Sequence, residues 1–184
     1  MSDTPKSFRV GLVQMCAGRT VDRNIAAATE LIRAAARGGA QYVQTPEMTN
    51  ILELDRERLL AAIKPEADDP GVTQFRFLAR ELGIWLHVGS LALVGERGRP
   101  VNRSLLISPE GRIDARYDKI HMFDVDLPGG ESYRESANYE PGREAVVAAL
   151  PWGQLGMTIC YDLRFPQLHR ALAKAGARFL AVPA

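Results

Sequence analysis

Between residues 8 and 45 the chain changes hydrophobic period twice, and that alternation limits the folds open to it. Residues 8–15 form a β-rich run in which Val10, Leu12 and Val13 read as the inward positions. Thr20 or Asp22 can then cap a helix whose apolar positions Ile25, Ala28, Leu31, Ile32 and Ala35 recur at intervals of three and four, with Gly38 and Gly39 as its stop. Residues 41–45 read as a second strand. Two strands with a helix between them do not pair as a hairpin, so a β-α-β crossover is the simplest arrangement, and an α/β fold follows.

The same alternation continues. Leu54, Arg58, Leu59 and Ile63 suggest an amphipathic helix within residues 51–64, followed by a surface loop over 65–71. Val72, Phe75, Leu78, Ala79 and Leu82 mark another helix, Gly83 stops it, and residues 84–94 form a strand, which completes a second β-α-β unit. Residues 101–108 and 113–117 flank a turn and read as antiparallel strands, so the sheet is expected to be mixed. Residues 119–142 keep no sustained period, but Phe123, Tyr133 and Tyr139 argue for a structured loop, and loops of that length in a domain are usually functional or disordered. Residues 145–150 and 155–160 flank Pro151, Trp152 and Gly153 as a hairpin, and residues 179–182 are one more strand.

At 184 residues and 46% hydrophobic content the chain can bury one substantial core, so a single domain over 1–184 is expected, with 1–6 as a flexible tail. Lysine and arginine total 23 against 22 aspartates and glutamates, which leaves no basic stripe for a phosphate backbone and makes nucleic acid an unexpected partner. Two cysteines, Cys16 and Cys160, do not make a disulfide framework and point to free thiols in a reducing compartment. No apolar leader and no run of membrane-spanning length is evident, so a soluble cytoplasmic protein without a membrane partner is the expectation.

The chemistry centres on residues 155–170. Leu155, Met157 and Ile159 read as a buried strand that delivers Cys160 into a turn, and Leu168, Ala171, Leu172 and Ala175 then mark a helical face that ends at Gly176. A thiol at that junction would see the positive end of the helix dipole, which favours thiolate. Glu47 and Lys119 also lie at or just past the ends of apolar strands, and strand ends in open α/β sheets converge on one crevice. Singly, Cys160 reads as a small core residue, Glu47 as a solvated turn acid and Lys119 as a surface cation. Their combination carries the weight.

Three motifs extend that combination. They are Thr45-Pro46-Glu47-Met48, then Arg116-Tyr117-Asp118-Lys119-Ile120-His121-Met122-Phe123-Asp124, then Gly156-Met157-Thr158-Ile159-Cys160-Tyr161-Asp162-Leu163-Arg164-Phe165-Pro166. In order and spacing they resemble the glutamate, lysine and cysteine motifs of the nitrilase superfamily of carbon–nitrogen hydrolases, within its amidase-like Nit branch. The resemblance implies a four-layer αββα sandwich with mixed sheets, a homodimer or higher homo-oligomer, and a Glu-Lys-Cys triad that uses no metal and no cofactor. It also implies that the family's C-terminal part is missing, since family members continue past Ala184. In that setting Glu47 would move protons, Cys160 would attack a small amide to form a thioester and release ammonia, and Lys119 with the backbone N–H of Tyr161 would hold the oxyanion. Glu135 matches a second family glutamate with a positioning role. Arg164 would bind a distal carboxylate, which would suit an ω-amide of a dicarboxylic acid, or else form a structural ion pair with Asp162 or a neighbour. His121 and His169 are expected to order loops, and Cys16 to lie in the core. A cysteine-dependent phosphatase would want arginine six positions after the nucleophile, where Pro166 stands; a non-catalytic scaffold on the same fold is the remaining alternative.

Overall fold

The computed structural model describes residues 7–184, and the expected tail at 1–6 lies outside the described residues. In chain order the elements are β1 (Val10–Leu12), α1 (Val21–Arg37), β2 (Tyr42–Gln44), α2 (Arg56–Ala62), α3 (Pro70–Leu82), β3 (Trp85–Val94), β4 (Pro100–Ile107) and β5 (Ile113–Asp118). A small hairpin of β6 (Asp124–Asp126) and β7 (Ser132–Arg134) follows, then the single turn α4 (Glu135–Asn138), β8 (Val146–Leu150), β9 (Gly153–Met157), α5 (Pro166–Lys174) and β10 (Phe179–Ala181).

Local chemistry places the helix ends. Asp69 accepts the N–H of Val72 at 2.9 Å, Pro70 supplies a first residue that needs no donor, and Gly83 closes α3 in the left-handed region at φ 63°. Asp55 caps α2 through the N–H of Arg58. That cap explains a difference from the sequence reading: Leu54 precedes the helix and is 73% exposed instead of packing with Leu59. Thr20 occupies the N-cap of α1 without a side-chain bond, and Asn24 anchors that end, bonding Gly18 on both sides and the carbonyl of Asn50.

The strands form a five-stranded sheet in the order β1-β2-β3-β4-β5, parallel through β3 and antiparallel after it, so both crossovers and the mixed sheet are present. Helices α1 and α3 cover one face, packing Ala28, Ile32, Phe75 and Leu78 against Val43, Leu86, Val88 and Leu105. On the other face Tyr42, Leu106 and Tyr117 meet Ala148, Leu155 and Met157 of a second sheet, ordered β10-β9-β8. Gly156 turns outward from that sheet, and a Cβ there would crowd Leu172 and Ala177, so α5 lies close against its outer side. Helices, sheet, sheet and helix make the four αββα layers.

Strand β1 shows the largest departure. Gly11 faces Ala35 of α1 so closely that a Cβ would overlap it, and Val13 is buried beside it. Period-two alternation therefore turns Val10 and Leu12 the other way, at an edge where they are 44% and 74% exposed. Cys16, expected in the core, is exposed in the segment beyond β1. Residues 119–142 are ordered, and the missing period reflects three-residue strands and a one-turn helix. Among the described residues no helix is long and apolar enough to cross a membrane.

Candidate active site

Glu47 sits on a tight turn after β2 that rests on β3. Ser90 holds the turn through Met48 N–H to Oγ at 2.8 Å and Thr49 N–H to its carbonyl at 2.8 Å. The Thr45 and Thr49 hydroxyls bond each other at 2.7 Å, and Gly89 N–H donates to Thr45 Oγ1 at 3.0 Å. Any Cβ on Gly89 would collide with the carbonyls of Thr45 and Pro46, so glycine is what lets the turn settle onto the strand.

Lys119 leaves the end of β5, where its N–H bonds the carbonyl of Asn102 at 2.9 Å. Its side chain is 2% exposed and lies between two carboxylates, with Nζ 2.9 Å from Glu47 Oε1 and 2.8 Å from Glu135 Oε2. Burial alone would lower its pKa, but the charges of Glu47 and Glu135 prevail and raise it above the ordinary lysine value, so the ammonium persists. Glu135 opens α4 and also accepts the N–H of Phe123 at 2.6 Å, which pins the β6-β7 hairpin to the site.

Cys160 opens a 3₁₀ turn, Cys160–Arg164, with φ 45°. Among the described residues it and Met48 are the two non-glycine positions at positive φ, and they flank the site from its two sides. The expected thiolate at a helix start is not what the structure shows. Helix α5 begins only at Pro166, and burial, followed by the nearby Glu47 carboxylate, pushes the thiol up to about 11 against the pull of Lys119. The sulfur thus sits beside the Glu47 carboxylate in surroundings that favour the protonated thiol.

Asp162 fixes the turn. It is fully buried and accepts four bonds: Tyr117 hydroxyl at 2.6 Å, Ile159 N–H at 2.9 Å, and His121 N–H and Nδ1 at 3.0 and 2.7 Å. The residues before and after Lys119 are thereby tied to the cysteine turn. His121 stacks on Phe165 with centroids 3.6 Å apart, and His169 Nε2 reaches the Asp162 carbonyl at 3.3 Å, so both histidines order loops as expected. Since both oxygens of Asp162 are taken, the ion pair with Arg164 does not form; Arg164 is exposed and unpaired among the described residues. Tyr161, next on the turn after the thiol, packs its ring edge-on to Phe123 and Phe165.

The structure thus brings Glu47, Lys119 and Glu135 together beside Cys160, and leaves Arg164 on the surface beyond the turn. Two residues escaped the sequence reading. Asn102 donates from Nδ2 to Glu47 Oε1 at 2.8 Å and to Glu135 Oε1 at 3.2 Å, and its only signal was a polar residue within an apolar strand. Asp162 was visible only as an acid two places past the cysteine and as an ion-pair candidate for Arg164, not as the residue that fixes the turn. Among the described residues no group of three His, Cys, Asp or Glu side chains could hold a metal ion, and the space between the two carboxylates is filled by the Lys119 ammonium.

A family model described as carbon–nitrogen hydrolase matches residues 9–184. The chain is 40% identical over 182 residues to a deaminated glutathione amidase from Yersinia enterocolitica, covering 97% of this chain and 63% of that protein. It is 33% identical over 181 residues to the human omega-amidase NIT2, covering 96% of this chain and again 63% of the other. The chain therefore spans somewhat under two thirds of the length of these curated relatives. Among solved structures, a glutamate-to-glutamine variant of the amidase from Nesterenkonia sp. AN1 superposes with a TM-score of 0.81 at 27% identity, covering 96% of this chain and 66% of that one. That structure carries acrylamide joined by Michael addition to its active-site cysteine.

Proposed function

The chain belongs to the carbon–nitrogen hydrolase family, and from that premise we propose that it is of the amidase-like Nit branch and hydrolyses a small amide through a thioester on Cys160. The observation that carries this reading is the Cys160 thiol held beside Glu47, with the buried Lys119 ammonium on the same carboxylate. Glu47 Oε1 is occupied by Lys119 and Asn102, which leaves Oε2 to take the thiol proton as sulfur attacks the amide carbon. The charge that develops on the carbonyl oxygen meets the ammonium of Lys119 and the N–H of Tyr161. The Lys119 contact with Glu135 is split across both oxygens, at 3.1 and 2.8 Å, so one N–H can turn to the oxyanion while an ionic bond remains. One such donor is commonly worth about 3 kcal/mol of transition-state stabilisation. Glu47 then gives its proton to the departing ammonia, and in the second half takes a proton from the water that cleaves the thioester, which returns acid and free thiol.

The amidase names of the two curated relatives support a small-molecule amide as substrate. The unpaired guanidinium of Arg164, four residues past the nucleophile, supports one with a distal carboxylate, such as an ω-amide of a dicarboxylic acid. The test is intact-mass measurement during turnover of an ω-amide panel, with ammonia release followed in parallel. An acyl adduct should appear in Cys16→Ala and be absent in Cys160→Ala, while Glu47→Gln should lose turnover by about a hundredfold or more without unfolding. An adduct confined to Cys16, or ammonia release that survives in Cys160→Ala, would overturn the reading.

A further inference from the structure

We propose that Asn102 is a positioning residue for this reaction: its carboxamide bridges the two carboxylates and selects the oxygen of Glu47 that faces the thiol. The proposal rests on the reading of Glu47 as the base. Asn102 is fully buried in β4, between β3 and β5, and its two amide hydrogens point to Glu47 Oε1 and Glu135 Oε1. Its backbone carbonyl receives the N–H of Lys119 at 2.9 Å, so one residue touches three members of the cluster.

Folding alone does not account for an asparagine here. Its Oδ1 is buried without a hydrogen-bond partner, alone in that respect among the side-chain atoms of the described residues. A buried orphan carbonyl is unfavourable, asparagine is a poor strand residue, and an apolar side chain of similar size would avoid both costs. The amide's orientation is nonetheless forced, because turning Oδ1 inward would set it against two carboxylate oxygens. What the amide supplies is a rigid planar donor pair. Lys119 alone, with three donors on a flexible stem, would allow Glu47 to rotate and offer it both oxygens, withdrawing the base from the sulfur. The second donor on Oε1 opposes that rotation and keeps Oε2 toward Cys160. It also places hydrogens between two like charges.

The experiment uses the full chain on a Cys16→Ser background, since Cys16 is exposed and outside the site. Asn102→Leu and Asn102→Asp are compared with that parent in two measurements: alkylation of Cys160 by iodoacetamide from pH 5 to 10, and kcat and KM for ammonia release from an ω-amide. Both variants should lower kcat about tenfold or more while KM stays within about twofold. The alkylation profile should move to higher pH, because the Glu47 oxygen that would take the thiol proton is no longer held for the sulfur. Asn102→Asp, though nearly isosteric, should be at least as damaging as leucine, since it adds a third carboxylate. A folded variant of either kind with parental kcat and an unshifted alkylation profile would overturn the proposal. Loss of the native fold in both variants would assign the amide to folding and overturn it as well. If the parent releases no ammonia from any amide, the amidase reading fails by itself, and the alkylation shift between parent and variants still decides the role of Asn102.

Discussion

Asp162→Asn should loosen the cysteine turn by an amount that can be worked out from its four bonds. The carboxylate meets two donors on each oxygen: Tyr117 hydroxyl and Ile159 N–H on Oδ2, His121 N–H and Nδ1 on Oδ1. An asparagine presents one oxygen and one NH₂. Whichever way the amide turns, its NH₂ points at a backbone N–H, that of Ile159 or that of His121, and a backbone donor cannot reverse its role. Tyr117 can rotate its hydroxyl to accept; the N–H cannot. One orphaned buried donor costs about 1 to 3 kcal/mol. The bonds that remain lose charge assistance and fall to roughly half their strength. The sum is about 2 to 4 kcal/mol. Urea denaturation followed by circular dichroism should show a lower midpoint with an unchanged slope, which separates a stability change from a change in the surface exposed on unfolding. Because the strained Cys160 turn hangs on the same carboxylate, amidase turnover should fall with the midpoint. A destabilisation below about 0.5 kcal/mol would refute the reasoning, since it would mean that the amide had found partners the geometry denies it.

Two further outcomes follow from buried positions. Gly89→Ala would drive a Cβ into the carbonyls of Thr45 and Pro46, which as backbone cannot swing aside, so stability should fall by about 1 to 3 kcal/mol and turnover by more than about tenfold as the Glu47 turn is displaced; unchanged turnover in thermal-melt-verified protein would contradict that. His87 is fully buried between Tyr42 hydroxyl at 2.6 Å and Ser104 Oγ at 2.7 Å, and burial pushes its pKa down from 6.5 to about 3. The unfolded chain therefore binds a proton that the folded one refuses, so this contribution is intact above about pH 6.5 and is lost as pH falls toward 3, at up to about 1.4 kcal/mol per pH unit. Denaturation midpoints at pH 7, 5.5 and 4.5 should decline less steeply in His87→Gln than in the parent; identical slopes would show that other groups carry the acid sensitivity.

Periodic elements were legible because their side chains repeat the geometry of the packing. The crossovers, the apolar face of α3 with its Gly83 stop, and the antiparallel pair around Pro109 to Arg112 could be read directly from spacing, whereas the Asp69 cap and the start of α3 at Pro70 lay within the expected loop 65–71. Faces and junctions were harder. An alternating pattern gives two faces without saying which one is covered, and in β1 it was a glycine, through its close approach to Ala35, that marked the helix side and sent Leu12 outward. The meeting of Glu47, Lys119 and Cys160 was legible through their motifs, while the surroundings of the thiol were not. A strand followed by a helical period suggested a dipole on the sulfur, but the intervening 3₁₀ turn separates Cys160 from α5, and desolvation outweighs the lysine. Asn102 and Asp162 act through neighbours brought from 33 to 55 and from 41 to 45 residues away, respectively, and no local pattern announces such partners.

Glu47 and Cys160 come from different sheets. Glu47, Asn102 and Lys119 belong to the five-stranded layer, whereas Cys160 follows β9 and is moored to the segment after β10 by its N–H on Pro183 at 2.8 Å. Their meeting depends on the contact in which Tyr42, Leu106 and Tyr117 receive Ala148, Leu155 and Met157. During synthesis Glu47 leaves the ribosome more than a hundred residues ahead of Cys160. Until the second layer has docked, Glu47 and Cys160 lie apart, and whatever chemistry the pair performs waits on that contact. Chain order thus leaves the site incomplete until residues 179–183 have joined the second sheet.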